Sequence, residues 1–131
     1  MKAKIGGLLA TAVSLTALDI LWLAVLARDL YQKQIGHLLG PEPYLPAAAA
    51  FYVLYLVSVW WVAVLPSRTV GQGVTRGAAL GFFGYGVYEL TNRAMLRDWP
   101  TALIPIDWTW GIFLTGTCAA AGTWVQSRLK S

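Results

Sequence analysis

The sequence predicts an all-α integral membrane protein: an antiparallel four-helix transmembrane bundle with both termini in the cytoplasm. Three observations carry this expectation. Hydrophobic residues make up 57% of the chain and charged residues only 12%, too few to build the charged shell of a soluble domain. Four apolar stretches are each long enough to cross about 30 Å of hydrocarbon at about 1.5 Å per residue. Lysine and arginine gather at one set of ends of those stretches. The 13 Gly, 7 Trp and 6 Tyr suit this class, because Gly lets helices approach closely and Trp and Tyr favour the membrane interfaces. A soluble enzyme, a disordered chain and a disulfide scaffold are excluded. The net charge of +4 comes from basic residues scattered between apolar runs, which fits loops facing anionic lipid and not nucleic acid. Cys118 is the single cysteine and can form no intrachain disulfide.

All of residues 1–131 reads as one transmembrane domain, with spans at about 5–27, 46–65, 78–96 and 102–125. The first, Ile5 to Ala27, carries one charge, Asp19. It has the basic start of a signal peptide, but the run is long for that purpose and contains an acid, so an uncleaved helix is expected. The second, Pro46 to Leu65, has no charge. The third, Ala78 to Leu96, is the least apolar and holds Glu89, Asn92 and Arg93 near its end. The fourth, Ala102 to Val125, holds Asp107 near its start. Pro41, Pro43, Pro46, Pro66, Pro100 and Pro105 punctuate the boundaries. Between spans one and two, Leu30, Tyr31, Gln34, Ile35 and Leu38 recur at helical spacing. That pattern reads either as an amphipathic segment in the outer interface or as an extension of span one. SRTVGQGVTRG, between spans two and three, reads as a polar connector.

Lys2, Lys4, Arg68, Arg76, Arg128 and Lys130 fall on one side, with no acid among them. Arg28, Lys33, Arg93 and Arg97 on the other side are nearly balanced by Asp29, Glu42 and Asp98. Positive-inside bias therefore places both termini in the cytoplasm.

The remaining acids, Asp19, Glu89 and Asp107, lie within spans, where an ionisable group costs several kcal/mol unless it is paired or hydrated. Each sits near the outer end of its span, so three helices bring a carboxyl to one layer. Gly81, Tyr85, Glu89 and Asn92 share a face of span three by their spacing. Asp19 and Asp107 each stand one turn before a tryptophan, Trp22 and Trp110. An indole there can donate a hydrogen bond to the acid or wall it off in an apolar pocket. His37, in the outer loop, is either an interfacial polar residue or a further member of the same vestibule. The competing structural reading pairs the acids with Arg28, Arg93 or Arg97 to lock the bundle. Three carboxyls and one His can bind a metal, but no E-x-x-H or H-x-x-x-H spacing supports it. No metal or cofactor is expected. Trp60, Trp61 and Trp124 fit a cytoplasmic belt and Trp99 an outer one. Thr115, Thr117 and Cys118 suit helix packing.

ALDILWL at 17–23, Y-x-x-x-x-G-H from Tyr31 to His37, YELTN at 88–92, RDWP at 97–100 and D-x-x-W-G at 107–111 resemble the bacterial membrane family called domain of unknown function 2177. The resemblance spans nearly the whole chain and implies a small four-span protein of the bacterial cytoplasmic membrane. It implies no activity.

Two functions compete on the residues alone. The first is a site for a small or lipid-like ligand, serving transport or acid/base chemistry, with Asp19, Glu89 and Asp107 as acid/base or proton-carrying groups. Tyr85, Asn92, Trp22, Trp110 and His37 would surround them. The second is a non-catalytic accessory subunit that packs against a larger membrane complex or a second copy. The lipid bilayer is a partner in both.

Overall fold

The computed structural model describes residues 1–130, which are all-helical, with no strand among the described residues. Helix α1, Lys2–Leu21, continues through one wide turn to Leu26, where Ala27 N–H bonds five residues back to the Trp22 carbonyl at 2.7 Å. A short helix, α2, spans Arg28–Ile35. Helix α3, Leu45–Ser58, also runs into a wide turn, Val59–Val64. Helices α4, Val70–Met95, and α5, Leu103–Arg128, have 26 residues each.

Two stretches, Lys2–Leu26 and Leu45–Val64, are long and apolar enough to cross a membrane. In α4 and α5, glycine and polar residues dilute the apolar content, and the packing shows why. These two helices meet along a seam of small residues. A Cβ on Gly77 would lie 2.6 Å from both the Ala119 Cβ and the Thr115 carbonyl. Gly73, one turn before, faces Thr123, and Gly81, one turn after, faces the Gly111 carbonyl. Small residues on both helices let the backbones approach closely enough for van der Waals contact along the seam.

The opposite side of α5 receives α1 in the same manner. Ala3, Gly7, Thr11 and Leu15, four apart, form the buried stripe of α1. A Cβ on Gly7 would stand 3.2 Å from Gln126 Cβ and from the Gly122 carbonyl. Thr11 keeps its hydroxyl satisfied by donating to the Gly7 carbonyl at 2.7 Å. Helix α5 is thus the hub, and both neighbours run antiparallel to it. Helix α3 has no buried residue of its own. It is held by its wide turn, where Val59, Ala63 and Val64 pack on Ala119 and Gln126 Nε2 donates to the Val64 carbonyl at 3.0 Å, and by Tyr52, whose hydroxyl donates to the Ala12 carbonyl of α1 at 3.2 Å.

Three readings of the sequence need correction. Most of SRTVGQGVTRG is helix and not connector. Thr69 caps the N-terminus by accepting from Gln72 N–H at 3.2 Å, and Gly73 and Gly77 are required by the seam. Trp99 is no belt residue: it is 7% exposed and packs with Ile35 and Leu103. The segment after span one is not a straight extension, because Ala27 (φ −114°, ψ 7°) breaks the helix. The turn lets Leu30, Tyr31 and Ile35 of α2 fold onto Trp99, Leu103 and Ile104.

Candidate functional site

The fold of α2 over the start of α5 encloses a cavity of about 640 Å³. It lies at the end of the molecule where α1 and α4 finish and α5 begins. Asp19 and Trp22 come from the last turns of α1, Tyr85 and Glu89 from the last third of α4, and Asp107 and Trp110 from the first turns of α5. These six sequence-singled residues line one space. Asn92 and His37 are not among its lining; Asn92 is half-buried and His37 exposed. Among the described residues, no three His, Cys, Asp or Glu side chains converge closely enough to hold a metal ion. Two of the acids, Glu89 and Asp107, do stand against each other.

Each of the two buried acids has a partner, and neither partner is an arginine. Tyr31 donates its hydroxyl to Asp107 Oδ1 at 2.5 Å while accepting from the Trp22 indole N–H at 2.9 Å. The phenol links α1, α2 and α5 in one chain of hydrogen bonds. Burial, and then the bond to Asp107, push the Tyr31 phenol well above its ordinary pKa, so it stays protonated and keeps donating. Glu89 is fully buried and accepts from the Trp99 indole N–H through Oε1 at 2.9 Å. Arg93 Nε, four residues on, donates instead to Thr101 Oγ1 at 3.0 Å.

Two further contacts join walls of the cavity: the Glu89 carboxyl stands against that of Asp107, and the Trp110 indole faces the Asp19 carboxyl. A carboxyl facing a carboxyl needs a proton between the two or a cation beside them, so this pair is the part of the cavity best able to take up positive charge.

The remaining walls are aromatic. Trp22 and Trp110 stack with centroids 4.4 Å apart and planes 7° from parallel. Tyr55 meets Tyr85 edge to face at 6.2 Å, and its hydroxyl is bonded to the Thr115 hydroxyl. Gly111 is indispensable, since any Cβ there would overlap the Tyr85 ring. Leu23, Leu39 and Phe51 line the cavity yet are exposed, giving it an apolar rim, and Arg28 and Gln32 give it a polar one.

Sequence reasoning missed Tyr31, Tyr55, Tyr88, Trp99 and Arg28 as lining residues. For Tyr31 and Trp99 the signal was present: Tyr31 and Ile35 share a helical face, and RDWP sits directly before span four. What the spacing lacked was the partner those faces meet.

The family described as "predicted membrane protein", domain of unknown function 2177, matches residues 5–124, and the chain belongs to it. No curated protein and no solved structure matches the chain.

Proposed function

We propose that this member of the family crosses the bacterial cytoplasmic membrane four times, as a single domain with both termini inside, and holds a small or lipid-like amphiphile in the cavity at the outer leaflet. The exposed faces of all four long helices support the four spans. They carry Leu9 and Val13 on α1, Val53 and Leu54 on α3, Phe83 and Val87 on α4, and Phe113 on α5. Continuous apolar surface on that scale suits lipid and not water.

The observation that carries the ligand reading is the cavity itself, about 640 Å³, where Asp19, Glu89 and Asp107 meet aromatic walls and an apolar rim. A ligand with its polar head among the three carboxyls lays its tail across the Leu23–Phe51 rim. Sites of this kind, largely apolar with a few convergent polar groups, are the usual form of small-molecule pockets. Asp19, Glu89 and Asp107 then serve as the groups that hold or exchange a proton during transport or acid/base chemistry.

The accessory-subunit alternative needs acids locked by arginine. Glu89 and Asp107 bond instead to Trp99 and Tyr31, which favours the ligand reading. Mass spectrometry of the protein purified in mild detergent tests it. Gly84 lines the cavity and faces open space, its nearest neighbour being Tyr55 Cε1 at 4.0 Å, so Gly84→Phe fills the cavity without touching the acids. Wild-type protein should carry a stoichiometric amphiphile that Gly84→Phe lacks. Wild-type protein free of any such molecule, or equal retention by the variant, would refute the reading.

A further inference from the structure

We infer that the cavity is selective for an amphiphile with a cationic nitrogen head, such as a long-chain amine, over neutral or anionic lipids. This inference deepens the proposed ligand site and rests on it.

Charge comes first. The lining holds three carboxyl groups, Asp19, Glu89 and Asp107, against one guanidinium, Arg28, and that arginine is exposed at the rim. A phosphate or carboxylate head would face this excess of acid at close range, in a setting where water screens little. A cation meets attraction from the same groups. Glu89 and Asp107 supply the fixed point: both line the cavity, and their carboxyls stand against each other. An ammonium set beside that pair relieves the repulsion between them, and a charge-assisted bond of that kind is among the stronger ones available.

The walls give the second, independent reason. Eight of the cavity's eighteen lining residues are aromatic. Aromatic faces attract cations through their quadrupole, by about 0.5–2 kcal/mol per contact, and cages of them are a recurrent solution for alkylammonium groups. The same faces offer nothing comparable to an anion. Acid and aromatic groups together therefore select for sign of charge as well as for hydrophobicity. The apolar rim at Leu23, Leu39 and Phe51 is the side on which the ligand's hydrocarbon lies, and it keeps the tail away from Arg28.

The test uses two amphiphiles of the same tail length and opposite charge, dodecylammonium and dodecanesulfonate. Titration calorimetry is run on the full chain in an uncharged maltoside detergent. The ammonium should bind at least about tenfold more tightly than the sulfonate. Glu89→Gln, shown by thermal unfolding to be folded, should lose most of that preference. Equal or tighter binding of the sulfonate overturns the inference, as does full cation preference in folded Glu89→Gln. If Glu89→Gln does not fold, the wild-type comparison decides alone. Binding of both ions without preference overturns charge selectivity but leaves the ligand site standing, whereas absence of any bound amphiphile or ion removes the ligand site itself.

Discussion

Adding one methyl group at either of two glycines in α4, Gly81 and Gly84, should have opposite effects. Replacing an exposed helical glycine by alanine ordinarily stabilises a protein by about 0.4–1 kcal/mol, because the unfolded chain loses freedom and the helix gains propensity. Gly84 has room for the methyl: the nearest atom to a Cβ is 4.0 Å away. Gly84→Ala should therefore be neutral to mildly stabilising. At Gly81 the same Cβ would overlap the Gly111 carbonyl oxygen, with Gly111 C and Thr115 Cβ each only 3.0 Å away. All three neighbours belong to α5, two of them are backbone atoms, and none can rotate aside. The helices must part along the seam, and overpacking of this kind costs about 1–3 kcal/mol. Gly81→Ala should then lie roughly 2 kcal/mol below Gly84→Ala once the propensity gain common to both is removed. Gly81→Leu should be worse still, and more damaging than Leu80→Ala. Thermal unfolding of the variants side by side in one detergent reads the difference. Equal stability for Gly81→Ala and Gly84→Ala would mean that α4 and α5 do not meet at this seam.

Three further outcomes are expected. Tyr31→Phe keeps the ring but strands both the Trp22 N–H and Asp107 Oδ1, so unfolding should show a loss of about 1–3 kcal/mol; an unchanged melting temperature would mean that the phenol does not bridge them. Asp19→Asn should fold with little loss, because the amide resembles a protonated acid, whereas a loss of about 3–5 kcal/mol would reveal a buried ion pair and favour the accessory-subunit reading. For orientation, a green fluorescent protein fused after Lys130 should fluoresce and alkaline phosphatase inserted between Gly40 and Glu42 should be active. The reverse pattern would place the cavity at the cytoplasmic leaflet.

The helical class was legible because long apolar runs and prolines are local features, and counting residues from the helix ends was enough to set Asp19, Glu89 and Asp107 near one level. The seam was half legible. Gly77 and Gly81 mark a close contact by their spacing, but Gly73 hid inside a polar stretch whose Thr69 cap starts the helix earlier than hydropathy suggests. Tyr31 shows the limit most clearly. Its bond to Asp107 joins residues far apart in sequence, and the periodicity of RDLYQKQIGHLL reveals an apolar face without saying what covers it. Trp99 was misplaced for the same reason: an indole beside an arginine and a proline resembles an interfacial anchor until Glu89 is known to lie opposite.

The uneven burial of the helices divides the molecule into a stiff half and a yielding half. Between α4 and α5 the backbones are so close that sliding or rotation would drive carbonyls into one another, so that pair must move as one body. Helix α3 buries no residue before its wide turn and is tied there by the Tyr52 and Tyr55 hydroxyls, and α2 is attached to its neighbours by a few side chains and the Tyr31 bridge. Both of these elements wall the cavity. The cavity is thus walled on one side by the closely fitted α4–α5 pair and on the other by elements held through individual side chains, Tyr31 of α2 and Tyr55 of α3.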